Sequence, residues 1–99
     1  MHKYTQKQKY AIAYILMQII EADAIAHPKE IEYYNSIMKE FAISTEESEL
    51  IESLEYHTAI QIINDIESEQ KNRVLEMFKT MISIDGNIDP REAAIIDRL

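Results

Sequence analysis

Apolar residues recur at helical spacing along almost the whole chain. Ile12, Ile15, Leu16, Ile19 and Ala22 follow the i, i+3, i+4, i+7 rhythm of one buried stripe. They predict a first helix over about residues 4–22, largely buried because its flanks carry Tyr14, Met17 and Ile20. Ile31, Tyr34, Ile37, Met38 and Phe41 predict a second helix reaching about Ala42, and Leu50, Ile51 and Leu54 the inward side of a short third. Ala59, Ile62, Ile63 and Ile66 form the apolar side of a fourth, capped by Thr58. Val74, Met77, Phe78, Met81 and Ile82 line a long fifth helix opened by Ser68-Glu69-Gln70, and Ala93, Ile96 and Leu99 a sixth that runs to the end. The stretches between these elements are short, as in helical bundles.

Start signals agree with the periodicity. Pro28 and Pro90 each suit a first helical turn, where the missing N–H has no partner to lose, and each is followed two residues later by a glutamate, Glu30 or Glu92. Ser44-Thr45-Glu46-Glu47 is an S-x-x-E capping box. Four Tyr, at 10, 33, 34 and 56, fall at core or half-buried positions by spacing, although tyrosine is also enriched at interfaces.

The two Pro-starts belong to a longer repeat. Asp23-Ala-Ile-Ala-His-Pro28-Lys-Glu30 and Asp85-Gly-Asn-Ile-Asp-Pro90-Arg-Glu92 both read D-x-x-x-x-P-x-E, 62 residues apart. The same interval pairs Ile12 with Val74, Ile15 with Met77, Leu16 with Phe78, Ile19 with Met81 and Ile20 with Ile82. A stripe and a turn repeating together predict two similar helix-turn-helix hairpins, related by pseudo-twofold symmetry and sharing one core. The expected fold is therefore all-α, a bundle of about six helices in one domain covering residues 1–99.

These residues resemble the TerB-like domains of tellurite-resistance proteins, and the similar module ahead of the J-domain in membrane-anchored DnaJ-type co-chaperones. The likeness rests on a long helix ending in apolar-Asp-Gly, a short turn, then P-x-E, twice, and covers most of the chain. The second half, Ile84 to Glu92, fits the pattern; in the first, Ala24 stands in the place of the glycine and the turn isoleucine shifts to Ile25. The resemblance implies an all-helical bundle, divalent-metal binding at the acidic turns, assembly into stress-response complexes and no enzymatic activity.

Composition narrows the chemistry. The chain has 99 residues, one Gly, two Pro and no Cys, so thiolate metal sites, disulfides, thiol nucleophiles and glycine-rich phosphate loops have no material to form from. Ten Lys and Arg against eighteen Asp and Glu give a formal charge of −8, which disfavours the nucleic-acid backbone and favours cations or a basic protein partner. Glu46, Glu47, Glu49, Glu52 and Glu55 give the third helix an acidic face, read as solvated surface or as a dock for such a partner. Lys3, Lys7 and Lys9 ahead of the run Ala11–Ile20 imitate a secretory signal, but Tyr14 and Gln18 interrupt the run and Glu21 and Asp23 charge its end. The run is also too short to span a membrane. The expected protein is soluble and cytoplasmic, without membrane insertion.

Asp85, Asp89 and Glu92 around one turn, and Asp23 and Glu30 around the other with His27 and Glu21 nearby, are the candidate metal ligands; hard oxygen donors of this kind suit Ca²⁺ or Mg²⁺. The same residues have turn roles, Asp89 as N-cap, Glu92 and Glu30 in capping boxes and Gly86 as the helix-ending residue. An EF-hand register over Asp85–Glu92 fails because its first position falls on Met81, which offers no oxygen. His2, His27 and His57 lack ligand spacing for zinc. The expected function is a non-enzymatic interaction module with a divalent cation at its acidic turns. The alternatives are a metal-free adaptor and a small metal-dependent hydrolase, the last disfavoured by apolar inward positions.

Overall fold

The computed structural model describes residues 4–22, 28–84 and 90–99, with the side chains of residues 91–93 left out. Six α-helices follow in order: α1 (Gln6–Ala22), α2 (Pro28–Glu40), α3 (Ser48–Glu52), α4 (Tyr56–Asn64), α5 (Ser68–Ser83) and α6 (Pro90–Ile96). A single 3₁₀ turn, Thr45–Glu47, runs directly into α3. The described residues contain no strand, and no helix among them is long and apolar enough to cross a membrane. The fold is an all-α bundle.

Helix α1 is its axis. Ala11, Ile12, Ile15, Leu16 and Ile19 are wholly buried, and α1 touches each of the other five helices, α4 most extensively. Around it the core gathers Ile37 and Phe41 from the α2 end, Ala59, Ile63 and Ile66 from the α4 end, and Val74, Phe78, Met81 and Ile82 from α5. Tyr4 closes one end, its ring edge-on to Phe41 with centroids 5.7 Å apart. Tyr10, Tyr33, Tyr34 and Tyr56 are half-buried, as their spacing predicts.

Several expectations need correction. Ile31 does not face the core: it is 44% exposed, and its neighbour Glu30 is buried instead. The stripe of α2 runs Glu30, Tyr33, Ile37, Phe41, so the carboxylate occupies the position at its head. Leu50 is 56% exposed, and only Ile51 of the third helix is fully buried. The reason is the 3₁₀ turn, whose three residues per turn rotate α3 relative to the phase that an α-helix started at Thr45 would have. Thr58 does not cap α4; that helix begins at Tyr56 after the extended Glu55 (φ −92°, ψ 146°). The sixth helix ends at Ile96 rather than at the last residue. Pro28 and Pro90 do open α2 and α6.

Helix α2 stops in a Schellman motif without glycine. The Ile43 N–H donates to the Met38 carbonyl (2.9 Å) and the Ala42 N–H to the Lys39 carbonyl (3.1 Å), which forces Ala42 to φ 56°. Its Cβ is strained there, whereas glycine is not. Ala42→Gly is therefore expected to raise stability by about 0.5–1 kcal/mol. Thermal melts that leave the midpoint unchanged or lowered would contradict this.

Candidate functional site

Of the five candidate ligands, Asp23, Asp85 and Asp89 lie outside the described residues, as do His27, Gly86 and the side chain of Glu92. Whether the two turns approach each other therefore falls outside the described structure. Among the described residues, no three Asp, Glu or His side chains are grouped to hold a metal ion.

Glu30 is described, and its placement is unusual. It is 1% exposed, and it is the one charged side chain buried in the core of the described residues. Burying a carboxylate in an apolar core costs several kcal/mol unless polar groups answer it. Two features of the fold reduce that cost. Glu30 sits in the first turn of α2, where unpaired backbone N–H groups and the helix dipole favour negative charge. Glu30 also takes part in a polar or electrostatic interaction of its own. Chemically this is an acceptor held at the start of a helix, beside the turn that carries Asp23 in the sequence.

A second polar cluster lies at the opposite end of α2, around Glu47. Glu47 Oε2 accepts hydrogen bonds from the Tyr10 hydroxyl and from Gln6 Nε2 (2.9 Å), both on α1. Its Oε1 accepts from the Ser44 backbone N–H and hydroxyl, each at 3.2 Å, completing the capping box that S-x-x-E predicts. Gln6 also donates to the Tyr10 oxygen at 2.8 Å. Four donors thus saturate one carboxylate and fasten the 3₁₀ turn to α1. The pairing of residues 10 and 47 spans 37 positions and leaves no local sequence signal. Each residue is noticeable alone, as an aromatic and as a capping glutamate, but not as partners.

The electrostatics follow from this geometry. The hydrogen bond from Tyr10, then that from the Ser44 N–H, hold the Glu47 carboxyl below its ordinary 4.5, while the bond to Glu47 raises the Tyr10 phenol above 10.0. A lowered carboxylate contributes stability that is present above about pH 4.5 and is lost as the pH falls through the folded value. Tyr10→Phe removes the leading donor, so acid unfolding of the variant is expected to depend less steeply on pH below 4.5. Superimposable pH–stability curves for the variant and wild type would show that the latch carries no such linkage. Tyr33 and Tyr34 are raised chiefly by burial, with charge from Glu40 and Glu52 respectively as a lesser cause.

Compared with protein-family models, curated proteins and solved structures, the chain finds no match. Its reading therefore rests on its own residues.

Proposed function

We propose that the chain is a cytoplasmic, non-enzymatic interaction module of the TerB-like kind, in which two similar hairpins, α1–α2 and α5–α6, hold a divalent cation at their acidic turns. The observation that carries this reading is Glu30: a carboxylate kept in the core, at the head of a stripe where an apolar residue would pack without a desolvation cost. Two further features support it. Ile12 and Val74, Leu16 and Phe78, and Ile19 and Met81 are pairs 62 residues apart, and both members of each pair are buried. Glu30 is also the lone buried ionisable side chain among the described residues, whereas a carboxylate-based hydrolase in a helical bundle uses several acids from facing helices. Asp23, Glu30, Asp85, Asp89 and Glu92 are the oxygens offered to Ca²⁺ or Mg²⁺.

The test is calorimetric titration with Ca²⁺, Mg²⁺ and Mn²⁺ at physiological salt on wild type, Glu30→Gln and Asp85→Asn. Both substitutions keep shape and remove charge. Specific binding well below millimolar, weakened at least about tenfold by either change, is the expected result. Equal, millimolar-weak binding by all three proteins would reduce the turns to capping chemistry and leave the metal-free adaptor.

A further inference from the structure

The core built on Ile12, Ile15, Leu16 and Ile19 has a gap along the chain. Ile43 and Tyr56 both pack against it, but no residue of 44–55 does. That stretch holds the 3₁₀ turn and α3, and α1 is the one helix on which α3 packs substantially. Its residues withdrawn from solvent are Glu47, Ser48, Ile51 and Leu54. Ile51 is wholly buried, and so is Ala13 of α1, yet both stand outside the main core. Gln6, Tyr10 and Ala13 share a stripe of α1 at i, i+4 and i+7, about a third of a turn away from the core stripe. Helix α1 therefore has a second face, and residues 44–55 lie on it.

The fastening of this stretch is slight. Its link to α1 by hydrogen bonds is Glu47, which accepts from the Tyr10 hydroxyl and from Gln6. Its backbone bonds at the turns are local: the Glu47 N–H donates to the Ser44 carbonyl (3.1 Å), the Ser53 N–H to Glu49 (3.0 Å) and the Leu54 N–H to Ile51 (3.1 Å). Both ends are extended, at Ser44 (φ −82°, ψ 161°) and at Glu55 (φ −92°, ψ 146°). Rotation at these two residues moves the stretch without breaking α2 or α4. Segments with few buried apolar side chains and local backbone bonds open at a free energy well below that of global unfolding.

We propose that residues 44–55 are a strap that opens as a unit from an otherwise intact bundle, with Glu47 on Tyr10 and Gln6 as its latch, and that opening uncovers the Gln6, Tyr10 and Ala13 stripe of α1. Ile51 is the strap's one fully buried side chain, so one apolar contact and one hydrogen-bonded carboxylate decide between the two states. The main core keeps its members in both. This conformational device goes beyond the cation reading and does not depend on it.

The chain has no cysteine, so a single introduced thiol reports on its own site. Ala11 and Ala13 are a matched pair, both wholly buried on α1, the first within the main core and the second outside it. In the full chain under native conditions, Ala13→Cys is expected to react with DTNB at least about tenfold faster than Ala11→Cys. Adding Tyr10→Phe should speed the Ala13→Cys reaction about tenfold more. Adding Ile63→Val, a change in the main core, should speed Ala11→Cys severalfold and leave Ala13→Cys unchanged, because that core stays folded when the strap opens. Equal rates at the two positions, or an equal response of both to Ile63→Val, would mean that the strap opens only with the whole bundle and would overturn the proposal. An Ala13→Cys rate indifferent to Tyr10→Phe would overturn the latch. Should a buried cysteine prevent folding, urea-dependent hydrogen exchange on the wild-type chain decides. The Glu47, Ser53 and Leu54 amides should exchange with a weaker urea dependence than those of α5. A shared dependence would overturn the strap, and so would exchange at the unprotected rate, which would show that it is not closed in solution.

Discussion

Phe78→Ala lowers the unfolding free energy by about 3–5 kcal/mol, the cost of deleting a wholly buried aromatic side chain from a packed core. Phe78 is the largest fully buried side chain of the described residues, and it projects from α5 into the cluster built on Ile12, Ile15, Leu16 and Ile19 of α1. A cavity there cannot collapse readily, because α1 is gripped on its other sides by α2, α3, α4 and α6. Small domains hold only about 5–15 kcal/mol in total, so the loss is a large share of the whole. Urea unfolding should show a lower midpoint with an unchanged slope. The neighbouring Met77 is only half-buried, and Met77→Ala should cost clearly less. Equal losses at the two positions would mean that the core is not packed as described.

Glu30→Lys is the other large effect, an expected loss of about 3–5 kcal/mol. It places an ammonium where 1% of the side chain reaches solvent, and at the first turn of α2, where the dipole opposes positive charge. Glu30→Met keeps the volume and removes the charge, and is expected to be much milder, since apolar replacements of buried charges are often tolerated. The pair of variants has a functional use. If Glu30→Met folds as well as wild type but no longer binds Ca²⁺ or Mg²⁺, the carboxylate is retained for its ligand. If Glu30→Lys melts at the wild-type temperature, Glu30 is not buried in solution.

Much of this architecture is legible in the sequence, and the parts that are not have identifiable causes. The six helices follow from 3.6-residue periodicity, and the starts at Pro28 and Pro90 and the capping box at Ser44 from local chemistry, because those signals act within one turn. The orientation of α3 does not follow, since a 3₁₀ turn shifts its phase and five helical residues are too few for periodicity to reset it. The exchange of Ile31 for Glu30 at the head of α2 runs against hydropathy. A periodicity search assigns the apolar residue inward, while the helix end supplies N–H groups that make a carboxylate acceptable there. The acidic turns are legible as a repeated motif, and Glu30 as one of its members, but not the burial of Glu30. The latch between Tyr10 and Glu47 joins distant segments, and no pattern along the chain encodes it.

The central position of α1 bears on how the chain is made. Synthesis delivers α1 before all five helices that cover it, and its main partner, α4, is finished only at Asn64, 42 residues after Ala22. At roughly 5–20 residues per second, that leaves its apolar stripe without its principal cover for a few seconds on each ribosome. During that interval Ile12, Ile15, Leu16 and Ile19 form an open binding face for any factor that attends emerging chains. The helix that ends as the best-protected part of the protein thus begins with its apolar stripe uncovered.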